Sequence, residues 1–121
     1  MTVKEILNSN ESKPPYTSEG QIWWASLGKN IGVEMNGKSS LFTRPILIFK
    51  KLSNHFYLVI PLSTKMHTGS WYVTYKQKGS EAVACLQQIR VIDYKRLYSR
   101  IGEMDGTDFK RIKAAFSKLY T

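Results

Sequence analysis

The chain has 121 residues, a formal net charge of +9, a pI near 9.7 and a single cysteine, Cys85. That length makes one domain able to bury its own core. It excludes an intrachain disulfide, and one cysteine with two histidines gives too few ligands for a dedicated metal site, so no cofactor is expected. No apolar run approaches the roughly 18–20 residues that span a bilayer. The N-terminus lacks the apolar block and small residues of a secretory signal, and no basic amphipathic helix offers a broad apolar face to a membrane surface. A cytoplasmic protein with a polyanionic partner is expected.

Residues 1–19 read as a peripheral arm, with one short helix over Thr2–Asn8 and an extended approach at Pro14-Pro15. Residues 20–121 form the domain. "GQIWWASLG", Gly20–Gly28, alternates on two partly buried faces and predicts a strand between glycines. Lys29–Thr43 has no periodicity, and loops of such length are usually functional or mobile. "RPILIFKKL", Arg44–Leu52, is the next strand, with Pro45 at its start where no ladder hydrogen bond is lost. Ser53–His55 turns the chain, and "FYLVIPLS", Phe56–Ser63, returns as the other arm of a hairpin. After a loop, Ser70–Gln77 predicts a fourth strand with one wetter face, Lys78-Gly79 a turn, and Glu81–Ile92 a fifth strand. Asp93 caps a short turn, and Ser99–Met104 reads as a last brief strand. Asp105 is a good helix N-cap, and Asp108 puts a negative charge in the first turn. Phe109, Ile112, Phe116 and Leu119 make one apolar stripe, with Lys110, Arg111, Lys113 and Lys118 off it. The pattern predicts a mainly β fold, a small and strongly bent antiparallel barrel closed by a C-terminal helix.

Several chemistries find no support in the spacing. A histidine pair can cut RNA by proton transfer, but His55 lies in a turn and His67 in a loop, and nothing brings them together. There is no nucleophile elbow and no phosphate loop. Trp23, Trp24, Trp71, Tyr72 and Tyr75, interleaved with Lys76 and Lys78, either stack bases on a sheet face or fill the core; Trp71 and Tyr75 are the better placed for stacking. The hairpin suggests a further site. Arg44 lies ten residues before Asn54 and Ser63 nine after it, so a guanidinium and a hydroxyl share one rim of the sheet. The planar fork of arginine suits a phosphate. The alternative is an arginine paired with a nearby acid at a strand end.

"GQIWWASLG", "GVE…G…RPILIF", "VIPLSTK" and "LQQIRVID..RL..RIGEM" occur in this order between Gly20 and Leu119. Together they resemble the PemK/MazF toxins of bacterial type II toxin–antitoxin pairs. The resemblance implies an SH3-like barrel of the PemK/MazF/CcdB type that forms a homodimer. It implies an endoribonuclease, an mRNA interferase that cuts single-stranded RNA at short motifs without metal and inhibits growth. It also implies a cognate antitoxin whose acidic, flexible tail blocks the RNA channel. The family's arginine before proline maps onto Arg44, its serine or threonine at the end of the third strand onto Ser63 with Thr64 as the register alternative, and its loop acid onto Glu34.

The chain departs from the family pattern twice. Ten positions separate Glu34 from Arg44, with "KSSLF" reading as an insertion, and Gln87 stands where some members carry an acid. A glutamine cannot relay a proton, so the chain either does without that acid or has reduced activity; the base stays open, with Glu34 the first candidate. In the implied reaction a ribose 2′-hydroxyl attacks the adjacent phosphorus, and Arg44 and Ser63 stabilise the charge that develops. Lys29, Lys38, Lys65, Tyr75, Gln88 and Arg90 are expected to contact the RNA. The loop with Gly28, Gly32 and Gly37 would serve as its lid. A gyrase poison of the CcdB type and a non-catalytic RNA-binding module on the same barrel are the rival readings.

Overall fold

The computed structural model describes residues 15–27 and 43–120. The expected helix at Thr2–Asn8 lies outside them, as do Glu34, Lys29, Lys38 and the three loop glycines. The described elements are β1 (Gln21–Ser26), β2 (Thr43–Lys51), β3 (Phe56–Ser63), β4 (Tyr72–Gln77), β5 (Ser80–Cys85), a 3-10 turn (Leu86–Gln88), β6 (Arg90–Asp93), a second 3-10 turn (Tyr94–Arg96), β7 (Leu97–Glu103) and α1 (Gly106–Leu119).

All strand pairs are antiparallel, in the order β4-β5-β3-β2-β1-β7, with β6 added to β3. The mainly β architecture with a C-terminal helix is as expected. The closure is not: β4 and β7 end the path without pairing among the described residues. The helix covers one face of an open, curled sheet instead of completing a ring.

The sheet is buried on two sides, which explains the nearly unbroken apolar runs of β2 and β3. On the inner face Ile22, Leu47, Phe49, Ile60, Leu62, Val73, Ala84 and Leu86 pack with Ile112, and Phe109, Phe116 and Leu119 lie against them. The Phe49 ring meets Phe116 at 4.8 Å and Phe109 edge-on at 6.1 Å. The predicted stripe of α1 is therefore its buried face. On the outer face Trp23, Ala25, Ile46, Ile48, Tyr57 and Val59 form a second cluster with Ile92 and Tyr94.

The fifth predicted strand is two strands. The chain leaves the ladder at Leu86, whose side chain is fully buried and whose N–H donates to the Trp71 carbonyl at 2.9 Å. One 3-10 turn later it pairs with a different part of the same neighbour. β3 therefore joins β5 through Leu62 and Ser63, and β6 through Phe56–Val59. Alternation alone cannot reveal this break, because the inward positions Ala82, Ala84 and Leu86 keep the strand period up to it.

The other signals hold. Lys78 (φ 51°) and Gly79 (φ 85°) form the two-residue turn between Gln77 and Ser80 that the right-handed strand twist favours. The Asp105 carboxylate accepts from the Thr107 N–H at 3.0 Å, and the Asp93 carboxylate from that of Lys95 at 2.9 Å. The chain before β1 is tied to β2: the Lys51 N–H donates to Glu19 at 3.0 Å and its ammonium to the Thr17 carbonyl at 3.2 Å. Since Ile112 is the fully buried residue of α1, Ile112→Ala should cost about 2–5 kcal/mol, read as a lowered urea midpoint at an unchanged slope.

Candidate active site at the rim of the sheet

β2 and β3 pair with Ile46 opposite Pro61. Continuing that register by two residues on each strand sets Arg44 opposite Ser63. Both residues therefore lie at one rim of the sheet, two positions beyond the last pair of the ladder. The half-buried guanidinium is held by two neutral acceptors. One nitrogen, Nη1, donates to the Gln88 side-chain oxygen at 3.0 Å, and Nη2 donates to the Leu62 carbonyl at 3.2 Å. The Cys85 thiol lies beside it, within reach of its charge. Among the described residues no carboxylate pairs with Arg44; the ion pairs found there are Arg100–Glu103 and Arg111–Asp108. The alternative of a strand-end ion pair is thus not what the described residues show.

Ser63 Oγ accepts from the Lys65 N–H at 3.0 Å, which leaves the hydroxyl hydrogen to donate. Thr64 and Lys65 follow, both exposed. Gln88, expected to meet RNA, has its oxygen engaged by Arg44 and keeps its amide hydrogens. Arg90 Nη1 donates to the Leu27 carbonyl at 2.9 Å, and Arg96 Nη1 to that of Ser26 at 3.3 Å. The two arginines thus grip the last described residues before position 28, on the strand that pairs with β2 through Ser26 and Thr43.

Tyr75 requires a correction. Its side chain is 4% exposed within the inner cluster, and its hydroxyl donates to Gln77 at 3.2 Å. Such a ring cannot stack a base; the alternation that marked it also marks a core strand. Its neighbour Tyr72 is the accessible one. Tyr72 stands opposite Cys85, and its hydroxyl accepts from the Gln87 amide at 2.6 Å. His67 stacks on the Tyr72 ring. The two histidines have different ring partners: His55, in the turn between β2 and β3, packs against Tyr94, and His67, in the loop before β4, against Tyr72. Sequence reasoning missed Arg96 and the role of Tyr72. For Tyr72 the missing signal was the break after Cys85, which aims Gln87 at its hydroxyl while Gln88 meets Arg44.

A pocket of about 230 Å³ opens beside this rim, lined by Trp24, Pro45, Leu62, Tyr75 and Ile101 among others. Ser63 and Thr64 line it as well, whereas on β2 it is Pro45 and not Arg44 that does, so the pocket reaches the hydroxyl end of the rim rather than the guanidinium. No group of three histidine, cysteine or acidic side chains placed to hold a metal occurs among the described residues, and no helix there is long and apolar enough to cross a membrane.

The family profile of PemK-like, MazF-like toxins of type II toxin–antitoxin systems matches residues 18–120. The chain belongs to that family. No curated protein matches it by sequence. Among solved structures it resembles a mycobacterial endoribonuclease in complex with its cognate antitoxin, at 16% identity and a TM-score of 0.67, over 85% of this chain and 93% of that one. It also resembles MazF in the MazE–MazF crystal structure from Deinococcus radiodurans, at 14% identity and 0.65, over 87% and 96%. A third likeness is to the Mycobacterium tuberculosis toxin MazF-mt6, at 16% and 0.63, over 83% and 95%. At such identities these likenesses establish the fold, and the PemK/MazF fold is what this chain adopts.

Two buried acids in this toxin titrate upward. Burial pushes the Cys85 thiol above its ordinary value of 9.0, while the Arg44 charge and hydrogen bond pull it partly back. Burial, then the Asp108 charge and then Cys85, pushes the Tyr75 phenol well above 10.0. Both stay protonated in the folded protein at pH values where the unfolded chain has released the protons. Their stabilisation is complete below the unfolded values and is lost as pH rises toward the folded ones. The melting temperature should therefore hold to about pH 8.5 and fall above it. Cys85→Ala should flatten the first part of that fall, and Tyr75→Phe the part beyond about pH 10.

Proposed function

We propose that this toxin is an endoribonuclease that cuts single-stranded RNA, mRNA included, at short sequence motifs without a metal ion. In this reading it acts in the cytoplasm as a homodimer, inhibits growth and is neutralised by a cognate acidic antitoxin. The observation that carries the reading is the Arg44 guanidinium, half-buried at the rim and held by neutral acceptors. Its charge is not cancelled by a neighbouring acid among the described residues, and donors aimed at developing charge are often the largest catalytic contribution. Family membership and the endoribonuclease named among the structural likenesses support the same chemistry.

The reaction is a transesterification. The ribose 2′-oxygen attacks the adjacent phosphorus and loses its proton to a base, for which Glu34 is the candidate. The bond from phosphorus to the 5′-oxygen breaks, and that oxygen takes up a proton. The products are a 2′,3′-cyclic phosphate and a 5′-hydroxyl. Between them lies a phosphorane with extra negative charge on its non-bridging oxygens. The guanidinium meets one of these oxygens as a permanent cation, and the Ser63 hydroxyl donates to another, with Thr64 the nearest substitute. Gln88 and the Leu62 carbonyl fix the plane of the fork, so little reorganisation remains for the transition state. Because the nucleophile is the 2′-hydroxyl, DNA is bound but not cut.

Lys65 and Arg90 reach the strand on either side, joined in this proposal by Lys29 and Lys38. With a net charge of +9, binding should weaken steeply with salt. The same charge draws an acidic antitoxin, as the two antitoxin complexes of similar fold suggest.

The test is cleavage of a long single-stranded RNA in chelator, with the ends mapped. Discrete cuts are expected. Arg44→Ala should lower the rate by about 10²–10³-fold and Ser63→Ala by less. Gln88→Glu, which puts a carboxylate on the guanidinium, should weaken RNA binding with the fold intact. RNA bound but left whole would support the binding module, and stalled gyrase with intact RNA the poison; either would sink the nuclease.

A further inference from the structure

The accessible face beside Arg44 carries an aromatic pair that the proposed reaction does not use. The His67 ring lies 4.7 Å from that of Tyr72, the planes 14° apart. The arrangement is built. The Tyr72 N–H donates to the Gly69 carbonyl at 3.2 Å, and Gly69 sits at φ 124°, a conformation that lets the loop fold His67 back over the strand. The Tyr72 hydroxyl is fixed by Gln87 at 2.6 Å. His67 is exposed and Tyr72 half-buried, so the stack presents a free ring face to solvent.

Its position links it to the site. Tyr72 is the register partner of Cys85, whose thiol lies beside the Arg44 guanidinium and feels its charge. Opposed side chains in a sheet stand about 4.5–5.5 Å apart at Cβ, so the stack lies one strand from Cys85, toward which Arg44 reaches from β2 across β3. Gln87 and Gln88 come from one 3-10 turn, and one holds Tyr72 while the other holds Arg44. Lys65, two residues before His67, donates its backbone N–H to Ser63. Trp71 does not share this surface; it packs edge-on against Tyr120.

We propose that the His67–Tyr72 stack is a nucleobase subsite, which receives the base of a nucleotide flanking the phosphate held by Arg44. A single-stranded chain bound by its phosphates turns its bases outward, and an exposed flat ring beside the phosphate site is the surface a base can cover. The net positive charge selects a polyanion over an apolar peptide as the occupant. The Gln87 side-chain oxygen, at the edge of the stack, can accept from an exocyclic amine. The inference rests on Arg44 as the phosphate group, but not on cleavage.

Binding of two labelled, uncleavable probes tests it: a ten-nucleotide 2′-O-methyl RNA of mixed sequence, and an abasic 2′-O-methyl strand of equal length and charge. The protein should prefer the base-bearing strand by about 5- to 100-fold. His67→Ala and Tyr72→Leu should each reduce that preference at least about threefold, whereas Tyr72→Phe should retain it. Arg44→Ala should weaken both probes alike and leave the ratio intact. His67 is exposed, so its variant should melt as the parent does and keeps the test valid if Tyr72→Leu misfolds. An unchanged ratio in His67→Ala, or no preference in the parent, overturns the subsite. Failure of the parent to cut RNA while the ratio behaves as stated would instead overturn the nuclease and leave the subsite standing.

Discussion

A charged side chain at a half-buried rim, satisfied by neutral acceptors, is the constraint around which this structure is arranged. Arg44 gives hydrogen bonds to an amide oxygen and a main-chain carbonyl, with the Cys85 thiol beside it. Each fixes the direction of the fork without removing its charge. A carboxylate in the place of Gln88 would hold the fork as firmly and stabilise the resting protein. It would also compete with any phosphate for the same donors. Among the described residues the cradle is neutral, so it orients the cation without setting a carboxylate on it, and an oriented cation of that kind suits a transient anion.

That cradle depends on how β3 divides its partners. β2 runs along one side of it, while β5 and β6 share the other. The break between those two strands is where Gln87 and Gln88 leave the ladder. Were the strand continuous, alternate residues would point to opposite faces and the two glutamines could not both serve the active face. Leu86 anchors the break by filling the inner core, and the Tyr120 hydroxyl caps its carbonyl at 3.1 Å. Packing of the C-terminal helix region is thereby coupled to the geometry of the rim.

Much of this was legible in the residue order. Hairpin counting paired Arg44 with Ser63, although the turn is not symmetric and the register shifts between Ile48 and Lys50; the shift lies on the turn side and compensates for the unequal count. The helix was legible to its cap, because Asp105 and the Phe109–Leu119 stripe act locally. Tyr75 was misread because alternation tells which residues share a face, not which face meets water. Its companion Tyr72, three positions earlier and so on the other face of β4, has the surface that Tyr75 lacks. The fifth strand was misread for a related reason: a 3-10 turn of three residues leaves no composition signal when its first residue continues the inward period. Sheet closure was not legible, since it depends on twist accumulated over every strand.

The grip of Arg90 and Arg96 on the Leu27 and Ser26 carbonyls has an evolutionary corollary. Together with the pairing of Ser26 and Thr43, it clamps both ends of the segment from 28 to 42 to the scaffold. Lengthening a segment whose ends are already pinned adds little to its closure entropy, about 0.6 kcal/mol per doubling. Residues can accumulate there by insertion, as "KSSLF" suggests, without the ladder registering the change. A lineage can therefore diversify that segment while inheriting the rim unaltered.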